Sequence, residues 1–438
     1  MKRMGNLHRW LVLSLMVPIL VACGGEAASE PTPETVVDFA TATVPADATT
    51  APEPTEVAEP TAVVEPTATT ESIPVTTGKV PLRSDVMEFS VVNHLYYTDR
   101  ERVLALTNIA GFDWVRQQIV WKDIEGPEPG NYLWHELDYI VDDVNSNNLR
   151  LLISIVQAPS FYSENNGMPD DPVALGNFVD AMMKRYGTKI QAVEIWNEQN
   201  LAHENGGRVV PEDAGRYVEL LVESYKRIKA VEPSTIVLAG APSSSGVTDP
   251  NLAVADEVYF REMYRYKDGL IKDYFDVQAV HPGGSANPPE TMWPDNPSNA
   301  DGWTDHPTFY FRHVENVRKF MVEEGVGDHQ IWITEYGWAT ENETPGYEFG
   351  NQVSIEQQGE YILGAMKYAY FNYREPNGDP WLGNMFLWNM NFAVLWGAQD
   401  QPLHEQASFG ILNPDWSPRP GFLAVQGFMN AIKAEGRR

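Results

Sequence analysis

The sequence predicts one (β/α)8 barrel, running from Ser84 to Arg438. Three observations predict it. Eight short apolar runs recur along this part of the chain. Longer amphipathic stretches separate them, so the strands are joined by crossovers and pair in parallel. The runs are apolar almost throughout, as strands covered on both faces should be. Eight such units in about 350 residues close into a barrel with helices outside. An open doubly wound sheet would carry a Gly-rich phosphate turn after its first strand, and this chain has none there.

The elements follow in order. "MEFSVVN" from Met87 is the first strand, and "DRERVLALTNIA" from Asp99 is the helix after it. "FDWVRQQIV" from Phe112 is the second strand, followed by "HELDYIVDDVNSNN" from His135. "LRLLISIVQ" from Leu149 is the third, followed by "DPVALGNFVDAMMKRYG". In that helix Asp171 is the expected N-cap. Pro172 takes the first helical position, where a missing N–H removes no helical hydrogen bond. "QAVEIWNE" from Gln191 is the fourth strand, and "EDAGRYVELLVESYKRIKAVEP" from Glu212 its helix. The last four strands are "TIVLAGAP" from Thr235, "DVQAVHP" from Asp276, "IWITEYGW" from Ile331 and "NMFLWNMN" from Asn384.

The first 83 residues read differently. Lys2, Arg3 and Arg9 precede an apolar run from Trp10 to Val21, which is short for a membrane span. It ends in Leu20-Val21-Ala22-Cys23, and Cys23 is the chain's one cysteine. This resembles a bacterial lipoprotein signal over residues 1–23. The resemblance implies lipidation of Cys23, anchorage of the protein to the membrane through that lipid, and a location outside the cytoplasm. One cysteine also excludes an intramolecular disulfide. Residues 24–83 are rich in Pro, Thr, Glu and Ala, with no Trp or Tyr. Such a segment buries too little to offset its ordering entropy and is expected to be a disordered stalk.

The formal net charge is −30, from 61 acidic and 31 basic residues. A surface this acidic repels phosphate backbones and argues against nucleic-acid partners. Thirteen Trp and nineteen Tyr suit stacking on the apolar faces of sugars.

Chemistry on a barrel gathers at the C-terminal ends of its strands. Asn197 and Glu198 end the fourth predicted strand, and Glu335 ends the seventh. Two carboxylates facing one cleft are what glycoside hydrolysis needs: one protonates the leaving oxygen, the other attacks or activates water. Other chemistries are poorly represented. His281, His306 and His313 lack close metal-ligand spacing, "APSSSG" from Ala241 is no nucleophile elbow, and "HPGGSANPPE" is no phosphate loop. No cofactor and no metal is implied.

"EIWNEQN" followed by "ITEYGW" resembles the clan A glycoside hydrolases, of the family 39 β-xylosidase and family 5 cellulase types. The resemblance spans Ser84 to Arg438. "WVRQQIVWKDIE" puts Arg116 where the clan carries an arginine beside the nucleophile. "EPGNYLWHELDYIVDDV" is similar to the clan's Gly-x-Tyr-x-Trp-x-x-x-Asp stretch. "VQAVHPGG" puts His281 at the end of the sixth strand, and "MFLWNMN" puts Trp388 at the sugar-platform position. Gln199 replaces the clan's usual proline after Asn-Glu.

The resemblance implies a retaining double displacement on a carbohydrate substrate, with Glu198 as acid and base and Glu335 as nucleophile. It implies that Asn197 bonds the sugar 2-hydroxyl and that Arg116 keeps Glu335 ionised. His281 and Tyr336 would position Glu335 or the ring, and Trp388 would floor the subsite. Glu194, on the face of Trp196 and Glu198 by alternation, is expected to be a paired structural carboxylate. Trp121, Trp293, Trp303 and Trp396 are candidates for outer subsites. The alternative is a barrel that binds carbohydrate without turnover. The presence of both carboxylates weighs against it.

Overall fold

The computed structural model describes residues 81–295 and 305–436. The leader of residues 1–23 with Cys23, the 24–83 stalk up to residue 80, and Trp303 lie outside the described residues.

Eight strands form one closed parallel barrel in chain order. They are β1 (Glu88–Val92), β2 (Trp114–Val120), β3 (Arg150–Val156), β4 (Ala192–Ile195), β5 (Ile236–Ala239), β6 (Val277–Val280), β7 (Gln330–Tyr336) and β8 (Leu382–Leu387). β1 pairs with both β2 and β8, which closes the ring. The main helix after each strand is, in turn, α1 (Arg100–Ala110), α2 (His135–Ser146), α3 (Pro172–Tyr186), α4 (Asp213–Val231), α5 (Asp256–Gly269), α6 (His313–Glu323), α7 (Ile355–Asn372) and α8 (Pro420–Ala434). Asp171 caps α3 by accepting from the Val173 amide, with Pro172 at its start as expected. Ser354 and Gln357 close a reciprocal capping box on α7. Among the described residues no helix is long and apolar enough to cross a membrane.

The core has two parts. Outward strand residues such as Val91, Val115, Ile153 and Val193 are fully buried against the helices. Inside the barrel the side chains stack in layers. At the base, Trp332 packs edge-on against Trp114 at 5.2 Å and also meets Phe386. The Trp114 indole donates to Glu88 Oε2 at 2.9 Å. The next layer is polar, where Ser90 donates to Asn384 at 2.7 Å. Arg116 and Glu194 also pair inside the barrel, at 2.8 Å.

Two of the strands that differ from the sequence reading bear on the site. β4 stops at Ile195 rather than running through Glu198. Trp196 and Glu198 adopt φ of +66° and +50°, which ends strand geometry and the expected alternation with Glu194. β8 begins two residues before Asn384 and stops at Leu387, just short of Trp388.

Candidate active site

Arg116 lies mid-strand on β2, and period-2 alternation turns it into the barrel. It is fully buried. Its guanidinium spends its donors on four neighbours. Nε donates to Glu194 Oε2 at 2.8 Å and Nη1 to Glu335 Oε1 at 2.6 Å. Nη2 donates to Asn197 Oδ1 at 2.7 Å and to Ser154 Oγ at 3.2 Å. One planar fork thus fixes groups from β3, the β4 end and β7.

Glu335 reaches this cluster because β7 is irregular. Its register on β8 shifts between Ile333 and Tyr336. The shift lets Thr334 and Glu335 both contact interior groups, although they are consecutive. Glu198 reaches it by the break after β4. Its amide donates to the Ala241 carbonyl at 2.8 Å, tying the turn to the end of β5. Gly240 permits that approach, since a Cβ there would sit 2.5 Å from the Ile195 carbonyl oxygen. Left-handed backbone at two non-glycine residues, one of them Glu198, is strain held in place by its surroundings.

His281 bridges the two carboxylates. Its Nδ1 is 3.1 Å from Glu198 Oε1, and its Nε2 is 3.0 Å from Thr334 Oγ1 and 3.9 Å from Glu335 Oε1. One ligating atom each from Glu198, His281 and Glu335 lie within 4.8 Å of one another. That spacing would also admit a metal ion, which sequence spacing gave no reason to expect because the three come from separate strands. The Arg116 guanidinium, 2.6 Å from Glu335, already supplies positive charge at this place.

Burial pushes the Glu335 carboxyl above its ordinary 4.5, and His281 and Arg116 offset only part of this, while Glu198 and Glu194 add to it. Arg116 therefore favours ionisation, as expected, but does not overcome burial. Burial alone would lower His281, yet Glu335 and Glu198 hold its pKa above 6.5. Arg116 is buried too, and Glu194 and Glu335 keep it charged.

Asn197 is fully buried, and its Nδ2 makes no hydrogen bond among the described residues. Trp388 follows β8, is 9% exposed, and packs on Phe392 at 4.8 Å. Glu194 is paired as expected, with Arg116 and with Thr334 at 2.9 Å.

Tyr336 is a correction. It packs on Phe311 at 6.0 Å in the layer between sheet and helices, because the bulge spends the inward positions on Thr334 and Glu335. Trp121 is another: it is fully buried, stacked between Tyr162 and Phe178, and bonded to Glu125 at 2.6 Å. Trp396 stacks on His404 at 3.6 Å. Trp293, 44% exposed, borders a cavity of about 320 Å³ between α5 and α6, lined also by His306 and His313.

Sequence reasoning missed Thr334, which bonds Glu194 and His281, and Ser154, which accepts from Arg116. It also missed Gln118 and Gln157 at the ends of β2 and β3, whose buried Nε2 and Oε1 have no partner among the described residues. Gln118 had a signal: it follows Arg116 by two on the same strand face. Gln157 had none, because its φ of +56° breaks the alternation.

No protein-family model matches the chain, and no curated protein matches it in sequence. Solved structures do match in fold. A family 39 glycoside hydrolase from Bacteroides cellulosilyticus WH2 superposes with a TM-score of 0.57 at 18% identity, over 80% of this chain and 64% of that one. GH5_18 from Streptomyces cattleya, in complex with GlcNAc, gives 0.56 at 15%, over 80% of this chain and 82% of that one. The exo-β-1,4-mannosidase Op5Man5 from Opitutaceae bacterium strain TAV5 gives 0.51 at 14%, over 82% and 62%. The chain thus spans under two thirds of the family 39 protein and of the mannosidase. The barrel is of the kind these glycoside hydrolases use.

Proposed function

We propose that the protein is a retaining glycosidase acting on β-linked oligo- or polysaccharides. One observation carries the reading: oxygens of Glu198 and Glu335 approach within 4.8 Å across the barrel mouth. Retaining enzymes hold their carboxyls ~5–5.5 Å apart, while inverting enzymes keep ~6.5–9.5 Å for a water. The fold likeness to glycoside hydrolases agrees with it.

In this reading Glu198 gives its proton to the glycosidic oxygen as the C1–O bond breaks. A Glu335 oxygen attacks C1 and forms a glycosyl ester. Glu198 then takes a proton from water, the water oxygen attacks C1, and Glu335 leaves. The sugar keeps its anomeric configuration. Asn197, whose Oδ1 accepts from Arg116, gives an Nδ2 hydrogen to the sugar 2-hydroxyl in this reading. Trp388 forms the floor under the ring. We read the leader ending in Cys23 as a lipid anchor that would hold the enzyme outside the cytoplasm. Neighbours whose names mention mannosidase activity or a GlcNAc complex make β-mannosides and GlcNAc-containing glycosides early substrates to try.

The test is a panel of aryl β-glycosides and polysaccharides, with the wild type beside Glu335→Gln. Turnover of one class, retention by NMR of the first product, and loss in Glu335→Gln are expected. A folded wild type that turns over nothing on the panel but binds one of its sugars would replace the reading with a carbohydrate-binding barrel.

A further inference from the structure

A chain of buried groups runs behind the acid/base: Glu194, Thr334, His281, Glu198. Its links are 2.9 Å, 3.0 Å and 3.1 Å. Its direction can be worked out. An ionised carboxylate only accepts, and Glu194 is held as a partner of Arg116 through its other oxygen at 2.8 Å. The single hydroxyl proton of Thr334 therefore goes to Glu194 Oε1. Thr334 Oγ1 is left as an acceptor for its other neighbour, His281 Nε2, so Nε2 must carry a proton.

This fixes what His281 shows to Glu198. We propose that Thr334 is a positioning residue that locks His281 with its proton on Nε2, so that Nδ1 and the Glu198 carboxyl hold one proton between them. The proposal rests on the role given to Glu198 above. The shared proton is either on Glu198 and donated to Nδ1, or on Nδ1 and donated to Glu198. Removing it leaves the Nδ1 lone pair facing a carboxylate, which is unfavourable in a buried site. The lock thus keeps the acid loaded to higher pH. In the second half of the reaction the same lone pair makes Glu198 a stronger base toward water.

Several charged groups face this pair. Glu335 and Arg116 approach His281 from β7 and β2, and Glu204 and His203 approach Glu198 from its own loop. Glu335 Oε1 lies 3.9 Å from Nε2, too far for a hydrogen bond, and among the described residues Thr334 is the hydrogen-bond partner of Nε2, at 3.0 Å.

Without the hydroxyl, a neutral His281 can move its proton to Nδ1 and donate to an ionised Glu198. The pair then loses its extra proton at lower pH. In Thr334→Val the basic limb of the kcat/KM–pH profile is expected to move to lower pH, and Thr334→Ser to restore it. The loss should be about tenfold above the wild-type optimum for alkyl or 4-nitrophenyl leaving groups, the scale of one hydrogen bond. It should be absent for 2,4-dinitrophenyl glycosides, which leave without a proton.

Should Thr334→Val fold poorly, 15N-histidine NMR of the wild type reads the lock directly. A protonated Nε2 on His281 supports it, and an Nε2 without a proton overturns it. An unmoved basic limb in a folded Thr334→Val, or equal losses on both kinds of leaving group, overturns it as well. Absence of any glycoside turnover by the wild type would instead remove the enzymatic reading beneath it, while the NMR result would still decide the tautomer.

Discussion

Replacing Arg116 with Met tests the idea that one guanidinium holds the site together. The side chain is fully buried and makes four hydrogen bonds. Met has a similar length but no charge, so Glu194, fully buried, and Glu335, 12% exposed, would lose their common counter-ion. Breaking a buried ion pair by removing one partner costs about 3–5 kcal/mol. For a domain of about 350 residues the unfolding entropy is about 0.7 kcal/mol/K, so the melting temperature should fall by about 4–7 °C at neutral pH.

The pH dependence gives the sharper test. Arg116 is one of the groups lowering the Glu335 pKa, which already lies above 4.5. Its loss moves the folded value higher still. Between the unfolded and folded values the native state binds more protons, so stability falls as pH rises through that window. The defect should therefore be small near pH 4.5, where the carboxyls can protonate, and complete well above the raised folded pKa. Urea unfolding of wild type and Arg116→Met at the two ends of this window reads it. An equal defect at both ends would refute the electrostatic account and leave only lost packing.

Four further outcomes are expected. Glu198→Ala should cut kcat/KM by about 10²–10⁴-fold for poor leaving groups, with a smaller loss for activated ones, read from a leaving-group series. The acid limb of the wild-type kcat/KM profile should lie above 4.5, because turnover requires Glu335 ionised and burial raises it; His281→Gln, removing a lowering charge, should move that limb further up. Gly240→Ala should cost about 1–3 kcal/mol by overpacking against the Ile195 carbonyl and should depress kcat through the Glu198 turn, checked by denaturation and kinetics together. Trp121→Leu should lower stability but leave the KM for longer oligosaccharides unchanged, because its ring is sealed between Tyr162 and Phe178.

All eight strands were legible in the sequence, because apolar runs between amphipathic stretches report burial on both faces. What could not be read was where each strand stops. β4 ends at Ile195 because the next residue, Trp196, is left-handed, and nothing in "EIWNEQN" announces φ of +66° at a tryptophan. The β7 bulge was equally silent, and it decided two residues at once. It brought Glu335 into the cluster beside Thr334 and sent Tyr336 to the outer layer. Glu198, Glu335 and Asn197 were singled out because polar groups end otherwise apolar strands, and Arg116 and His281 because their motifs resemble the clan A glycoside hydrolases; the structure brings the five side chains together. Thr334, Ser154, Gln118 and Gln157 were not singled out, because a hydroxyl or amide at a strand end has many ordinary explanations and only geometry selects among them.

The polar layer inside the barrel is a poor way to gain stability. A buried Arg116 with Glu194 and Glu335 contributes little over apolar residues of the same volume, because desolvation offsets the attraction. Its value lies in direction. Arg116 fixes the Asn197 oxygen and so aims Nδ2, Glu194 aims the Thr334 hydroxyl, and Thr334 aims the His281 ring. Each orientation is fixed before any substrate arrives, so no reorganisation is needed when charge develops. Glu194 touches neither of the two carboxyls facing the mouth, yet every one of these orientations passes through it or through its partner Arg116. A change at Glu194 should therefore be felt in kcat more than in KM, although it lies a full layer below them.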